Sequence, residues 1–211
     1  MDFNIVNGDA LEWCQENVGN IPAIVTSIPD MSEVGMEETE YIPFLRQSAH
    51  HILNCITNTG YAIFIQTDRK KQGLIDKSYY ISDEAIRVSG FRMMFHKISL
   101  IRDVDVKDLY KPTYSHVMCY SKKGKPGRST SDVYDRGSVL YKNGAGYETI
   151  KRSLEFLQTQ KIDTVVDPFV GQGTVLKVAI ECGFTSGLGI DIDATQCELS
   201  RKHIQLALSH T

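Results

Sequence analysis

The chain has 211 residues, which is enough for one α/β domain with a buried sheet and too few for two ordinary domains. A hydrophobic fraction of 42% and a charged fraction of 23% are normal for a folded globular protein and argue against a disordered or fibrous chain. The formal net charge of -3 lacks the strongly basic balance of a protein dominated by phosphate contacts, so any nucleic-acid partner would need a local basic cluster.

The first residues and the cysteines of the chain indicate its compartment. The first ten residues include Asp2, Asn4, Asn7 and Asp9, so they resemble no signal peptide. No apolar run approaches the roughly 20 residues that a membrane-spanning helix needs. The five cysteines are scattered, form no C-x-x-C pair and give no zinc site. We therefore expect a soluble intracellular protein, cytoplasmic or nuclear, with no membrane partner and no metal.

Short strand-like runs alternate with longer amphipathic stretches, a pattern typical of βαβ units around a mostly parallel sheet. We predict seven strands, at 3–6, 23–27, 61–67, 91–101, 116–121, 164–167 and 186–191. The fourth and fifth strands are separated by a polar loop and are expected to form an antiparallel hairpin. Helices are predicted at 10–17, 41–57, 150–159 and 175–182, and a further helix is predicted to begin at Ser82 and end at Gly90.

The stretch from Lys122 to Tyr147 is rich in Lys, Gly, Ser and Asp. We predict a long loop-rich segment there, and it is a candidate for contact with a substrate. No internal repeat and no linker interrupts the chain, so residues 1–211 are expected to form a single domain.

A glycine-containing turn follows the predicted strand 164–167. Gly171 and Gly173 lie between that strand and the next helix, where glycine lets a ligand approach the backbone and the amides of the helix N-terminus. The following strand ends at Asp191, and a carboxylate there can accept hydrogen bonds from the ribose hydroxyls of an adenosine cofactor. A purely structural turn between strand and helix is the alternative.

The residues around this turn carry a family resemblance. DPFVGQGT at 167–174, followed by GID at 189–191, resembles the cofactor signature of the amino-methyltransferases that modify nucleic-acid bases. NGDAL at 7–11 and TSIPD at 26–30 match further motifs, in the order found in the permuted β class of that family. The resemblance implies a Rossmann-like class I methyltransferase fold with circularly permuted motif order, and S-adenosyl-L-methionine as cofactor.

The resemblance also assigns roles in cofactor binding. It implies that Asp9 accepts the adenine amino group, that Asp167 faces the methionine ammonium and that Asp191 binds the ribose. The full implied set is Asp9, Ala10, Asp167, Pro168, Phe169, Gly171, Gly173, Thr174, Asp191 and Ile192.

The catalytic turn of the family reads Asp-Pro-Pro-Tyr or Ser-Pro-Pro-Tyr, and its aromatic residue stacks on a flipped base. Ser27, Ile28, Pro29 and Asp30 occupy those positions here, so the implied catalytic residues are Ser27, Pro29 and Asp30. Asp30 cannot stack, but it could take a proton from a hydroxyl or ring nitrogen as a general base. The alternatives are a helix cap ahead of Glu37 and Glu38, or a solvated loop charge.

Two basic clusters could bind phosphate, one at 69–71, including Lys71, and one at 122–128, where tyrosines are interleaved. The candidate substrate-binding residues are Arg69, Lys97, Lys122 and Lys123, and ordinary solvated loops are the alternative. His96 and His116 lie on the predicted hairpin and could assist the acceptor or simply pack.

The expected function is methylation of a nucleic acid, at a base nitrogen or a ribose hydroxyl. RNA is favoured over DNA, because a compact protein without a target-recognition domain can read a single strand or loop. A homodimer or a partner subunit could supply target recognition. The alternatives are a small-molecule methyltransferase and a catalytically silent scaffold subunit.

Overall fold

The computed structural model describes residues 1–70, 73–128, 130–141 and 143–209, so Lys71 of the first basic cluster lies outside it. The strands are β1 (Asp2–Asn7), β2 (Ile21–Thr26), β3 (Ile56–Gln66), β4 (Arg92–Leu100), β5 (Tyr114–Ser121), β6 (Val133–Asp135), β7 (Thr164–Asp167) and β8 (Ser186–Asp191). They form one sheet in the order β1-β8-β7-β2-β3-β5-β4-β6.

Most of this sheet is parallel. β1, β8, β7, β2 and β3 pair in parallel, whereas β5 is antiparallel to both β3 and β4, and β6 is parallel to β4. The predicted β4–β5 hairpin is therefore confirmed. Every strand except β5 ends at the same side of the sheet, which we call the carboxyl edge.

Helices cover both faces of the sheet. They are α1 (Ala10–Glu16), α2 (Met31–Val34), α3 (Glu38–Cys55), α4 (Lys77–Asp83), α5 (Tyr147–Thr159), α6 (Thr174–Glu181) and α7 (Ala194–Leu208), and a single π-helical turn, Glu84–Val88, follows α4. Residues of α1, α3 and α4 pack on one face, and residues of α5, α6 and α7 pack on the other. Within the described ranges, no helix is both long and apolar enough to cross a bilayer.

The central strands are buried on both faces because side chains alternate along a strand. In β2, Ile24 packs toward α3 and Val25 packs toward α5 and α6, and both are fully buried. In β3, Phe64 likewise packs on the face covered by α3, and Ile63 packs on the face covered by α5 and α6. This double burial explains why β-branched and aromatic residues dominate these strands and why the sequence predicts them well.

Two predictions fail in detail. The sheet has eight strands instead of seven, because three residues of the segment 122–147, Val133–Asp135, pair with β4. The helix expected at Ser82 begins at Lys77, where Asp76 caps it by accepting a hydrogen bond from the Tyr79 amide at 2.8 Å. The Ser82 hydroxyl instead shares a hydrogen bond with the Tyr120 hydroxyl at 2.8 Å.

A crevice opens at the carboxyl edge between β2 and β7. These strands are neighbours, with Ile24 opposite Val166. The strand that follows β7 in the chain, β8, lies on one side of this pair, and the strand that follows β2, β3, lies on the other. Ligands of open α/β sheets bind at such a reversal of strand order. Thr26 ends β2 and Asp167 ends β7 at this point, so the fold places both motifs of the sequence analysis at the crevice.

Candidate functional site

The turn after β7 is tightly constrained. Gly171 and Gly173 have φ values of 50° and 84°, a region that side-chain-bearing residues rarely adopt. At Gly173 a Cβ would also collide with the Ser200 side chain of α7. Only glycine therefore lets this turn lie against α7 and begin α6 directly beneath the crevice.

Asp167 is the buried acid of the crevice. Its Oδ1 accepts hydrogen bonds from Thr26 Oγ1 at 2.7 Å and from the Phe169 amide at 3.1 Å. Complete burial raises the pKa of Asp167 to about 7, because the loss of hydration outweighs these two hydrogen bonds. The Thr26–Asp167 bond joins motifs that lie 141 residues apart in the sequence. At neutral pH this carboxyl group is poised between its two protonation states.

Asp191 organises the neighbouring strand end. Its two carboxylate oxygens accept hydrogen bonds from the Gly171 and Asp193 amides, each at 2.9 Å. Its backbone carbonyl accepts a hydrogen bond from the Gly8 amide at 3.0 Å. The turn at Gly8, near the start of the chain, and the turn at Gly171 thus both hydrogen-bond to Asp191. Motifs from the two ends of the chain meet at this residue.

Asp9 and Ala10 lie beside this site without lining its cavity. The Asp9 carboxylate caps α1 by accepting hydrogen bonds from the Leu11 and Glu12 amides at 2.7 and 3.1 Å. Ala10 is buried at the start of the helix. The contact between Asp9 and an adenine amino group stays a prediction.

The crevice contains a cavity of about 490 Å³, which we call the strand-end cavity. Its lining includes Phe169, Gly171, Thr174 and Ile192 of the predicted cofactor set, but not Pro168 or Gly173, which shape the turn behind it. Its described lining also contains four acidic residues and no basic ones; the acids are Glu33, Asp167, Asp191 and Asp193. This charge favours a cationic ligand.

Ser27 also lines the strand-end cavity, next to Thr26 in the sequence. It is exposed, and its hydroxyl makes no hydrogen bond to any residue that the structure describes. The turn that carries it is rigid, because Gln66 Nε2 donates to the Ile28 carbonyl at 3.1 Å and the Tyr41 hydroxyl donates to the Pro29 carbonyl at 2.9 Å. A fixed backbone thus presents a free hydroxyl to the cavity.

Asp30 is a helix cap and an ion-pair partner. Its Oδ1 accepts a hydrogen bond from the Ser32 amide at 3.1 Å, and Glu33 Oε2 accepts one from the Asp30 amide at 2.8 Å, which completes a capping box on α2. Lys77 Nζ lies 2.7 Å from Asp30 Oδ2. Burial opposes the charge, but Lys77 and Ser32 lower the pKa of Asp30 overall. A carboxylate held in this way is a poor proton acceptor, so the geometry favours the capping alternative; the helix that Asp30 caps is α2, which lies ahead of Glu37.

Asn143 is a residue of the site that the sequence analysis missed. It has an unusual positive φ of 61°, and its amide nitrogen donates to Glu33 Oε1 at 3.1 Å. Near it in the sequence, Tyr141 stacks on His203 of α7 with ring centroids 3.8 Å apart. Asn143 and Ser27 both line the strand-end cavity. The neighbouring glycines, Gly144 and Gly146, were the available signal, since both mark close backbone approaches.

The four predicted substrate-binding residues are not brought together. Arg69 lines a separate cavity of about 370 Å³, whose lining also includes Ser27, Asp30 and Asp68. Lys97 binds Asp132 at 3.1 Å and lines a groove of about 580 Å³ beside α5, a groove that includes none of the motif residues.

Lys122 and Lys123 lie at the opposite edge of the sheet, because β5 runs antiparallel and they follow its end. The Lys123 amide donates to the Asn58 carbonyl near the start of β3, and Lys122 Nζ lies 4.9 Å from the Phe91 ring centre. Asn58 and Gln66, which lies at the carboxyl edge, are eight positions apart along β3, a distance of about 26 Å at the usual strand rise. The geometry does not place these lysines at the crevice.

The hairpin histidines form a hydrogen-bonded chain. His116 Nε2 lies 2.9 Å from Asp68 Oδ2, and His116 Nδ1 lies 2.7 Å from His96 Nε2. Burial, reinforced by His116, lowers the pKa of His96. Neither histidine lines the strand-end cavity. Across the described residues, no cluster of His, Cys, Asp and Glu has the arrangement of a metal site.

Comparisons with known proteins bear on the fold of the chain. Neither a protein family nor a curated protein matches the chain. Solved structures do match it. TTHA0409 of Thermus thermophilus, provisionally described as a DNA modification methylase and crystallised with S-adenosyl-L-methionine, has a TM-score of 0.76 at 17% identity, covering 100% of this chain and 98% of that one.

Two further structures share the architecture. The PvuII cytosine-N4-specific DNA methyltransferase has a TM-score of 0.74 at 14% identity, over 96% of this chain and 86% of that one. The M1.HpyAVI complex with SAM has a TM-score of 0.66 at 17% identity, over 96% and 98%. The chain therefore has the Rossmann-like class I methyltransferase fold, as the resemblance implied.

Proposed function

We propose that this chain is an S-adenosyl-L-methionine-dependent methyltransferase that modifies a base of DNA. The observation that carries the proposal is the strand-end cavity, in which turns from both ends of the chain meet at Asp191 and which a free Ser27 hydroxyl also lines. Structurally similar proteins crystallised with this cofactor support the assignment.

The residues of the strand-end cavity fit the cofactor. S-adenosyl-L-methionine carries a cationic ammonium and sulfonium, and the four acidic residues of the described lining complement that charge. A volume of about 490 Å³ falls in the range of small-molecule sites. Asp191 would hold the ribose and Asp167 the ammonium end. When bound, the cofactor supplies an electrophilic methyl group.

The chain's own contribution to the reaction is positioning. Little covalent assistance is needed for methyl transfer, so alignment of the acceptor in a closed pocket is the main catalytic effect. The Ser27 hydroxyl is available to bind the acceptor, since it has no partner among the described residues. Gln66 and Tyr41 occupy the carbonyls of Ile28 and Pro29, and each carbonyl retains a second lone pair. Asp30 maintains this turn through α2 and Lys77.

DNA replaces RNA as the favoured substrate because the PvuII enzyme is a DNA methyltransferase and TTHA0409 is provisionally described as a DNA modification methylase. A small-molecule substrate and a silent scaffold are the competing functions. The decisive experiment incubates the full chain with methyl-labelled S-adenosyl-L-methionine and, separately, DNA, RNA and a metabolite fraction, with Ser27→Ala as the matched variant.

We expect label in DNA, reduced at least tenfold by Ser27→Ala. Label found only in RNA or only in the metabolite fraction would replace the substrate. Cofactor binding without transfer to any fraction would favour the scaffold.

A further inference from the structure

A second cavity adjoins the strand-end cavity and has the opposite charge. We call it the hydroxyl cavity; its volume is about 400 Å³. The two cavities share Ser27, Ile65 and residues 143–145. Its lining contains no acidic residue within the described part of the chain, and Arg136 is the one charged residue there. A molecule that reaches Ser27 from this side therefore meets a positive charge.

The Arg136 guanidinium is uncompensated. Arg136 is half-buried, and among the described residues nothing forms an ion pair or a hydrogen bond with its side chain. Arg46, Arg102 and Arg152, by contrast, each bind a carboxylate within 2.9 Å. A partly desolvated cation without a partner is costly, and an anionic ligand removes that cost.

The backbone holds Arg136 in place. The Arg136 amide donates to the Leu100 carbonyl at 3.0 Å, and the Glu148 amide donates to the Arg136 carbonyl at 2.9 Å. Gly146 packs so closely against Arg136 that a Cβ would collide with it. β6 and the start of α5 thus fix the point from which the guanidinium extends, which lowers the entropic cost of binding a ligand.

Neutral hydroxyl groups line the same cavity as Arg136. Thr67 Oγ1 and Ser115 Oγ share one hydrogen bond at 2.8 Å, and Ser99 Oγ and Thr149 Oγ1 share another at 2.5 Å. Only one hydroxyl of each pair donates to the other, so each pair retains one hydrogen for a ligand. The cavity therefore combines a guanidinium with two spare hydroxyl donors, a set that suits the several acceptor oxygens of a phosphate.

We propose that the hydroxyl cavity binds a phosphate group of the acceptor nucleotide through Arg136, while Ser27 holds the acceptor base. This inference rests on the proposed function and deepens it, since it makes the substrate a phosphate-bearing nucleotide. The phosphate can belong to a polynucleotide or to a free mononucleotide, and the experiment distinguishes these sources.

The test measures binding of the full chain to an oligodeoxynucleotide, a nucleoside 5′-monophosphate and the matching nucleoside, at several salt concentrations. The variants are Arg136→Gln and Arg136→Lys, with Arg87→Gln as an exposed-arginine control outside the cavities. Loss of a charge-assisted contact should raise the Kd of Arg136→Gln tenfold to about a hundredfold. It should also reduce the slope of log K against log salt by about 0.7 to 0.9, the contribution of one phosphate contact.

Arg136→Lys should retain the salt slope, because it keeps the charge, but it should raise the Kd severalfold, because it loses the planar fork of the guanidinium. If Arg136→Gln fails to fold, an unchanged Kd in Arg136→Lys would also overturn the inference. Phosphate-dependent binding of the mononucleotide alone would assign the phosphate to a free nucleotide. An unchanged salt slope in Arg136→Gln, or nucleoside binding as tight as that of the monophosphate, would overturn the inference. S-adenosyl-L-methionine binding is measured in parallel, and its absence in the unaltered chain would instead defeat the proposed function.

Discussion

The strand-end cavity and the hydroxyl cavity meet at Ser27 but differ in charge and in origin. The first is acidic and is built at the ends of β7 and β8, with α6 beneath it. The second is basic and is built by residues in or next to β3, β4, β5 and α5, with Arg136 immediately after β6. The contrast suggests a division of labour in which one half of the sheet binds a cationic donor and the other half binds an anionic acceptor.

The largest expected effect is at the turn that forms the strand-end cavity. Gly173→Ala places a Cβ at a φ of 84° and against Ser200, so it should lower the free energy of unfolding by about 3 kcal/mol. Gly183→Ala is the matched control, because its φ of 80° is similar but no atom lies within 4 Å of the added Cβ. It should cost about 1 kcal/mol. Urea unfolding measures both, and equal losses would show that contact with α7 is unimportant.

Asp30→Asn tests whether Asp30 supports the turn or takes part in the reaction. The Lys77 side chain is only 3% exposed, so loss of its partner should lower the free energy of unfolding by about 2 kcal/mol. Asp132→Asn removes an ion pair with Lys97 at an 85% exposed carboxylate and should cost under about 0.5 kcal/mol. Methyl transfer by folded Asp30→Asn should be reduced less than twofold. A loss of turnover with unchanged stability would restore the general-base assignment.

The two cavities should also respond differently to pH. A bound cation favours the ionised form of Asp167, whose pKa is about 7 in the free protein. S-adenosyl-L-methionine binding should therefore weaken as the pH falls below 7, by up to about tenfold per unit, and level off above it. Asp167→Asn should bind more weakly with a flat profile.

Oligonucleotide binding through Arg136 should show no comparable change between pH 6 and 8, because neither a guanidinium nor a phosphodiester titrates there. Calorimetric titrations across that range measure both ligands. A pH-independent cofactor affinity in the unaltered chain would contradict the role of Asp167.

The smallest effect is expected at the far edge of the sheet. Lys122→Glu combined with Lys123→Glu should change oligonucleotide affinity less than twofold, because these lysines lie about 26 Å from the carboxyl edge. Filter binding at about 0.15 M salt, where the Debye length is only about 8 Å, is the measurement. A large loss of affinity would mean that the substrate extends across the sheet to β5.

The sequence predicts the two halves of the molecule unequally, for physical reasons. The strand-end cavity depends on local features, namely a β-branched strand, glycines with positive φ and a carboxylate at the end of β8, and each leaves a signature in consecutive residues. Asp191 and Gly171 could be paired from the motif alone, and the structure joins them at 2.9 Å.

The hydroxyl cavity could not be foreseen in this way. Its polar lining residues come from separate segments of the chain and meet only through the pairing of β3, β5, β4 and β6. These residues are Thr67, Ser99, Ser115, Arg136 and Thr149. β6 itself has three residues, too few for an alternating pattern. The position of Lys122 and Lys123 follows from the predicted hairpin, because an antiparallel β5 must end on the side of the sheet opposite the carboxyl edge.

The most direct test of the central claim is calorimetric titration of S-adenosyl-L-methionine into the full chain and into Asp191→Ala. The account predicts a Kd in the micromolar range for the unaltered chain and an affinity about tenfold to a hundredfold weaker for the variant, which loses a charged hydrogen-bond acceptor. Absence of binding by the unaltered chain, or an unchanged affinity in Asp191→Ala, would contradict it.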